Sequence, residues 1–183
     1  MDTADLVATI RKAFDGTPRS GTSLRQFWLT DQYGMSREIT DQEWRDAGRR
    51  RSDSKWQEIP DSEIKECGVL LAHMQAAEFQ YFLPAYMLFG LNELKIDPDR
   101  SNFIGSVVFS LHPSKRDSSL RAYTLSQLSL LTRNQRQAAV DYLRFVATHG
   151  DDFDRPNATK ALERFWTAEN VDKGFNTSVI QKP

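Results

Sequence analysis

The stretch FQYFLPAYMLFGL at residues 79–91 carries no charged side chain and constrains the fold more than any other part of the chain. As a helix it has two apolar stripes, which together occupy most of its circumference and require cover from the rest of the protein. The stripes comprise Phe82, Tyr86 and Phe89, and Leu83, Met87 and Leu91. The stretch is shorter than the roughly 20 apolar residues that cross a bilayer. It therefore predicts a buried central helix rather than a membrane anchor.

Pro84 is expected to determine where this central helix begins. Proline is accepted in the first turn of a helix and disfavoured further inside, because it lacks the backbone N–H and its ring clashes with the preceding turn. We therefore expect the chain to bend near residues 81–83 and the central helix to cover about residues 82–94.

Length and charge limit the classes of function. A chain of 183 residues is long enough for one core that buries roughly 70% of the surface of its unfolded form. Its 24 Lys and Arg residues are balanced by 25 Asp and Glu residues, so no overall positive field attracts a nucleic acid or an anionic membrane. The 39% of hydrophobic residues is too high for a disordered chain. We expect one folded domain without a membrane partner.

The cysteine content and the N-terminal sequence indicate the compartment. Cys67 is the single cysteine, which excludes an internal disulfide and a cysteine-rich zinc site and fits a reducing environment. The first residues, MDTADLVATIRKAF, lack the basic start and continuous apolar run of a secretory signal. Both observations favour a cytoplasmic protein.

Two capping-box patterns mark helix starts. Thr40 is followed by Glu43 and Thr132 by Gln135, and each pair can satisfy two backbone donors at a helix N-terminus. The second helix continues with apolar residues at helical spacing until Gly150 stops it. A short polar helix after Thr40 and a long amphipathic helix after Thr132 are therefore predicted.

Three further segments are assigned from their flanking residues. A helix that starts at Asp61 or Ser62 is expected to continue to Met74, and a last helix is expected to follow an N-cap at Asn157. The apolar run at residues 103–111 is assigned as a short helix because no second strand of similar quality exists to pair with it.

Together these patterns predict the fold class. Helical periodicities dominate and convincing strands are missing, so the amphipathic stripes must be buried against one another. We expect an all-α single compact domain of residues 1–173, with roughly six helices packed around the buried central helix. The tail, residues 174–183, is expected to be frayed.

Four segments resemble a bacterial family known only as a domain of unknown function. They are Trp56 before an acidic turn, FQYFLPAYM at 79–87, LTRNQRQAAVDYL at 131–143 and ALERFW at 161–166. Their order and the YFLPAY core are the specific part of the resemblance, which spans about the last two-thirds of the chain. The resemblance implies a helical bacterial cytoplasmic protein and brings no catalytic residues with it.

A nucleophilic enzyme would have to be built around Cys67. His73 is six residues away, and on one helix this spacing places the two side chains about 120° apart, so they would not meet. A small buried cysteine is the usual alternative. The sequence leaves open whether His112 or His149 approaches Cys67 from elsewhere in the fold.

Metal and cofactor motifs are missing from the sequence. It contains no H-E-x-x-H, no glycine-rich phosphate loop and no pair of histidines at ligand spacing. Asp151, Asp152 and Asp154 could hold a hard cation, but the glycine and the distal glutamate of an EF-hand loop are missing. We interpret these aspartates as a solvated turn and expect neither a metal nor a cofactor.

Two charged segments supply the candidate partner-binding residues. The basic segment contributes Trp44, Arg49, Arg50 and Arg51, and the acidic segment contributes Asp151, Asp152 and Asp154. Arg and Trp anchor protein interfaces, and the same residue types contact phosphate and stack on bases. A solvated helix face is the remaining interpretation of the basic segment. The near-zero net charge favours a protein partner over a nucleic acid.

The leading hypothesis is a non-enzymatic bacterial cytoplasmic protein that binds another protein. By analogy with small bacterial proteins of this kind, it would act as an immunity or accessory protein that neutralises or regulates its partner. The alternative is a nucleic-acid-associated module that uses the basic patch of Arg49, Arg50 and Arg51. An enzyme built around Cys67 or a histidine is the third hypothesis.

Overall fold

The computed structural model describes residues 1–96 and 102–175. These residues form ten α-helices, two short 3₁₀ turns and no strand, which confirms the predicted all-α class. The helices are α1 (Thr3–Ala13), α2 (Leu24–Tyr33), α3 (Asp41–Arg49), α4 (Asp61–Cys67), α5 (Ala76–Ile96), α6 (Asn102–Ser110), α7 (Ser118–Leu128), α8 (Arg133–His149), α9 (Asp154–Arg164) and α10 (Ala168–Lys173). The 3₁₀ turns are Trp56–Glu58 and Leu71–His73.

Helix α5 is the predicted centre of the fold, and it is longer than expected. It is buried over most of its length and packs against α1, α4, α6 and α7. The predicted bend near residues 81–83 is wrong, because the helix runs through Pro84 without interruption. A proline in a helix interior costs about 3 kcal/mol. The neighbouring helices cover α5 on several sides, and the stabilisation from this packing outweighs the cost of the proline.

Helix α8 is the second scaffold of the domain. Its predicted capping box is confirmed, with Thr132 and Gln135 bonded to each other's backbone. Gln135 also accepts a hydrogen bond from Gln80 Nε2 (2.8 Å) and donates one to Thr17 Oγ1 (3.1 Å). The N-terminal end of α8 is thereby tied to α5 and to the loop after α1.

Two predicted helix boundaries are corrected by the structure. The helix expected to continue to Met74 ends at Cys67, because Gly68 adopts a φ of 75°, which favours glycine. The last helix begins at Asp154 rather than after Asn157, with Pro156 in its first turn. These differences arise because local turn geometry, rather than apolar spacing, sets the ends of both helices.

The helices outnumber the roughly six that the sequence patterns suggested. The short helix predicted at 103–111 is confirmed as α6, and the helices expected within residues 4–14 and 23–35 are present as α1 and α2, whereas α7 and α10 were not predicted. Helix α7 buries Gln127 beside Leu128, so its buried face does not follow an apolar period. Residues 176–183 of the predicted tail lie outside the described residues. Among the helices described, none has the length and apolarity needed to cross a membrane.

Candidate functional site

Helix α3 lies on the outside of the domain, where it packs against α2. Its capping box, formed by Thr40 and Glu43, is present as predicted, and none of its residues is buried. The side-chain amide of Gln26 on α2 donates a hydrogen bond to the Trp44 carbonyl (3.2 Å). A Cβ atom at Gly48 would lie 3.0 Å from Gln26 Nε2, so glycine allows this close approach. The helix therefore packs closely against α2 while none of its own residues is buried.

Arg51 fixes the C-terminal end of α3 from inside the protein. Its guanidinium is 6% exposed and donates to Asp53 Oδ2 at 2.7 Å and to the Ser20 carbonyl at 2.5 Å. Tyr81 Oη on α5 donates to the same carboxylate at 2.5 Å. Burial alone would raise the pKa of Asp53, but the hydrogen bonds from Arg51 and Tyr81 outweigh it and lower that pKa. The predicted partner-binding residue Arg51 is thus used internally.

The other candidate residues of the basic segment are accessible. The Trp44 side chain is 37% exposed. Arg49 is exposed and forms an ion pair with Asp46 on its own helix (3.1 Å). Arg50 is exposed and has no carboxylate partner among the described residues. Among the candidate residues of the basic segment, Trp44 and Arg50 are therefore the ones whose side chains are accessible to a partner.

Two grooves border α3. The first, called the Trp44 groove, has a volume of about 540 Å³ and is lined by Phe27, Met35, Trp44 and His73 among others. The second, called the Arg50 groove, has a volume of about 520 Å³ and is lined by Trp28, Leu29, Ala47, Arg50 and Cys67 among others. Met35 at the first groove is fully exposed. Together α2, α3 and the two grooves are called the α2–α3 surface.

The acidic segment does not join this surface. Asp151 is used locally, since its carboxylate accepts hydrogen bonds from the backbone N–H groups of Phe153 (2.9 Å) and Asp154 (2.7 Å). Asp152 is exposed and pairs with Arg155. Asp154 is buried and lies against Gly105 of α6. The two predicted segments therefore belong to different parts of the domain.

Cys67 lacks the surroundings of an activated nucleophile. The thiol is buried, and burial raises its pKa to about 11, with a smaller opposing effect of Arg25. No hydrogen bond joins it to a histidine in the part of the chain that the structure describes. Burial also lowers the pKa of His112, as do the charges of Arg164 and Lys160. Within the described residues, no three His, Cys, Asp or Glu side chains are grouped to hold a metal ion.

Three important residues of these sites were not identified from the sequence. Asp53 and Tyr81 hold Arg51, and Met35 projects beside the Trp44 groove. An aspartate two residues after an arginine run could have indicated the internal ion pair. Tyr81 and Met35 gave no such signal, because their neighbours come from distant parts of the chain.

Comparison with known proteins places the chain in a group without an assigned activity. A family model described as "Family of unknown function (DUF6714)" matches residues 2–170. No curated protein and no solved structure matches the chain. The family resemblance seen in the sequence is thereby confirmed, and the match extends over the N-terminal third as well.

Proposed function

Because the chain belongs to the DUF6714 family, whose description assigns no activity, we propose its function from the geometry of the candidate site. It is a non-enzymatic protein of the bacterial cytoplasm that binds a protein partner through the α2–α3 surface. Immunity and accessory proteins work in this way, by holding and thereby neutralising or regulating another protein. The partner inserts an apolar side chain beside Trp44 and presents a carboxylate to Arg50.

The single observation that carries this proposal is the contrast between the anchoring and the exposure of α3. The helix buries none of its own residues. Its C-terminal end is nevertheless held by the buried pair of Arg51 and Asp53. A helix fixed in place while exposing Trp44 beside the fully exposed Met35 offers an apolar contact that is already ordered before binding.

The residue types at this surface are those of protein interfaces. Trp, Tyr, Met and Arg are enriched in such interfaces, and Trp and Arg are the commonest energetic anchors. Tyr33 extends the apolar area, and the guanidinium of Arg37 lies 4.6 Å from the centre of its ring. Arg37 itself is neutralised by Glu43 at 2.8 Å.

The charges favour a protein partner over a nucleic acid. Of the three arginines that the alternative hypothesis requires, Arg51 is buried and Arg49 is paired with Asp46. Arg50 therefore remains as the unpaired cation of that patch among the described residues. Nonspecific binding of a nucleic acid draws on several phosphate contacts, whereas one exposed arginine suffices to anchor a protein contact.

The test is co-purification from the native host. The tagged wild-type chain is expected to retain one partner at a stoichiometric ratio. The double variant Trp44→Ala with Arg50→Glu is expected to lose it, because the apolar anchor is removed and the charge is reversed. Interface anchors of this type contribute about 2 kcal/mol or more each, which corresponds to about 30-fold in affinity for one anchor and about 900-fold for two. The purified partner should therefore bind the double variant at least about 30-fold more weakly, even if only one of the two residues is an anchor.

The matched control is Phe153→Ala, which removes an exposed aromatic ring from the segment before α9. This variant is expected to retain the partner. If the partner also binds the Trp44 and Arg50 double variant with unchanged affinity, the α2–α3 surface is not the interface. If no stoichiometric partner is recovered under several growth conditions, the proposal of a protein-binding function fails.

A further inference from the structure

A second concave site lies away from the α2–α3 surface. It is a pocket of about 670 Å³ between α6, the loop that follows α6, the start of α7 and α9. Pockets that take small ligands have volumes of about 300–1,000 Å³. None of the residues of α2 or α3 lines this pocket. This pocket is therefore separate from the surface that is proposed to bind the protein partner.

The rim of the pocket is strongly basic. Lys115 and Arg116 come from the loop before α7, and Lys160 and Arg164 lie one turn apart on α9. Among the described residues, none of these four cations pairs with a carboxylate. Like charges at this helical spacing are mildly unfavourable in themselves. Four cations at one pocket that have no carboxylate partner within residues 1–96 and 102–175, in a chain with a net charge of −1, indicate an anionic ligand.

The floor of the pocket holds a carboxylate without a protein partner. Asp154 is 5% exposed and lines the pocket. Across the described residues its side chain accepts no hydrogen bond and forms no ion pair, although its backbone N–H donates to Asp151. A buried carboxylate normally has donors around it, because burial without them is costly. Burial accordingly raises the pKa of Asp154 to about 6, and the nearby charge of Asp151 adds to this effect.

Gly105 allows the carboxylate to take this position. A Cβ atom at Gly105 would lie 3.0 Å from Asp154 Oδ1, which is closer than nearly all contacts of real Cβ atoms. Among the described residues, no backbone N–H of α9 donates to this carboxylate, and Asp151 accepts the N–H of Asp154 at the start of the helix instead. Asp154 therefore has acceptor capacity that the fold does not use.

Two exposed aromatic rings complete the lining. Phe109 on α6 is 58% exposed and Phe153 is 72% exposed. Exposed rings beside cations are the arrangement on which flat bases stack while their phosphates are neutralised. The pocket thus offers cations for phosphate oxygens, rings for an aromatic heterocycle and a buried acceptor for N–H donors.

We propose that this pocket binds a guanine nucleotide. Lys115, Arg116, Lys160 and Arg164 neutralise its phosphates, and Asp154 accepts hydrogen bonds from the base. A carboxylate has two acceptor oxygens and no donor. Guanine presents two adjacent donors, its N1–H and its 2-amino group, which match those oxygens. Adenine presents one amino group beside the N1 acceptor, which a carboxylate repels, and so binds more weakly.

The experiment is calorimetric titration of the purified full chain at neutral pH and low salt with GTP, ATP and inorganic phosphate. GTP is expected to bind at least tenfold more tightly than ATP, and both more tightly than phosphate. Asp154→Asn is expected to remove the preference for GTP, because the amide places a donor where the base also donates. Lys160→Ala with Arg164→Ala is expected to weaken both nucleotides equally, because these side chains contact phosphate rather than base.

Two control variants and a measurement of thermal unfolding distinguish a specific loss of nucleotide binding from other effects of the substitutions. Arg133→Ala removes an exposed arginine elsewhere on the surface and is expected to leave all three titrations unchanged. Thermal unfolding of Asp154→Asn is expected at the same or a higher temperature than that of the wild type, so that lost binding cannot be ascribed to lost folding. Trp44→Ala is expected to bind GTP normally.

Several results would overturn the proposal. Equal affinities for GTP and ATP, or a GTP affinity that Asp154→Asn leaves unchanged, would remove the role of the carboxylate in base recognition. If phosphate bound as tightly as GTP, the pocket would be a site for anions in general, without recognition of the base. A single-stranded RNA without guanine that binds more tightly than GTP would assign the pocket to nucleic acid. Absence of heat with all ligands, confirmed by equilibrium dialysis, would eliminate the site.

Discussion

Two buried tyrosine hydroxyls in this protein have opposite surroundings. Tyr81 Oη donates to Asp53 Oδ2, and that carboxylate is bonded to Arg51 as well. Tyr142 Oη is buried on α8 without any hydrogen-bond partner among the described residues. A buried polar group stabilises the fold when it is paired and destabilises it when it is not. The same side chain therefore has opposite energetic effects at the two positions.

Replacing each tyrosine by phenylalanine is expected to separate these effects. Tyr81→Phe should lower the free energy of unfolding by about 2 kcal/mol, because Asp53 loses a donor in a buried site. Tyr142→Phe should leave it unchanged or raise it by up to about 1 kcal/mol, because an unpaired buried hydroxyl is removed. Urea denaturation followed by circular dichroism measures both. Equal destabilisation by the two substitutions would contradict the opposite energetic effects of the two hydroxyls.

Several helices in this fold are terminated by side chains from distant parts of the chain. Trp56 Nε1 donates to the carbonyl of Phe14 at the end of α1 (2.8 Å), and Trp166 Nε1 donates to the carbonyl of Leu111 after α6 (2.7 Å). Carbonyls at a helix C-terminus lack partners within the helix. The Trp166 indole supplies such a partner to Leu111, and the Trp56 indole adds one to the two donors that Thr17 already gives Phe14. Both indoles bury their rings in the core.

Arg136 performs the same task for the short helix α10. Its guanidinium donates to the carbonyls of Val171 (2.8 Å), Asp172 (3.2 Å) and Leu131. Burial lowers the pKa of Arg136, with a smaller opposing effect of Asp172. Arg136→Met should release α10 and lower the free energy of unfolding by about 2 kcal/mol, since hydrogen bonds from a charged donor are lost. Amide hydrogen exchange in α10 should accelerate accordingly.

The neighbouring Arg133 offers a matched control. It also reaches α10, through an ion pair with Asp172 at 2.7 Å, but both side chains are largely exposed. Exposed ion pairs contribute about 0–1 kcal/mol, so Arg133→Met should leave the exchange rates in α10 nearly unchanged. Equal acceleration by the two substitutions would show that charge, rather than the buried hydrogen bonds, holds α10 in place.

The stability of the whole domain is expected to depend on pH through Asp154. Its pKa is raised by burial from 3.8 to about 6 in the folded chain, so the folded state binds a proton more tightly than the unfolded state. The stabilisation from this group is complete below about pH 4 and is lost as the pH rises through about 6. A carboxylate that binds a ligand thus lowers the stability of the unliganded protein at neutral pH.

Asp154→Asn removes this dependence. Relative to the wild type, its free energy of unfolding should rise between pH 4 and pH 8 by about 2–3 kcal/mol, at about 1.4 kcal/mol per unit of pKa shift. Chemical denaturation at a series of pH values measures this difference, and the comparison below pH 4 is its internal reference. A difference that stays constant with pH would contradict the raised pKa.

Much of this architecture could be predicted from local sequence signals. The capping boxes at Thr40 and Thr132 act over three residues and are present as expected. The uncharged stretch at 79–91 is buried at the centre, because no other position could cover all its faces. Pro84 misled the prediction, since the cost of a proline is local whereas the packing that offsets it comes from several other helices.

The candidate sites were predicted less completely. Trp44 and Arg50, two of the residues predicted to bind a partner, lie at the surface, whereas Arg51 and Asp154 stand next to exposed residues in the sequence and are buried in the fold. Whether a charged side chain points outwards depends on the elements packed over it, and these are distant in the chain. The basic pocket escaped prediction for the same reason, since its cations come from two segments that meet through α6 and α9.

The sequence by itself determined the helical class, the buried centre and the capped starts of α3 and α8, because each of these depends on interactions within a few residues or on total apolar content. The tertiary structure alone decided that α5 continues through Pro84, that Arg51 is internal and that Asp154, without a partner among the described residues, lies at the floor of a cationic pocket. Burial and pairing are properties of contacts between distant residues, which spacing along one chain does not specify.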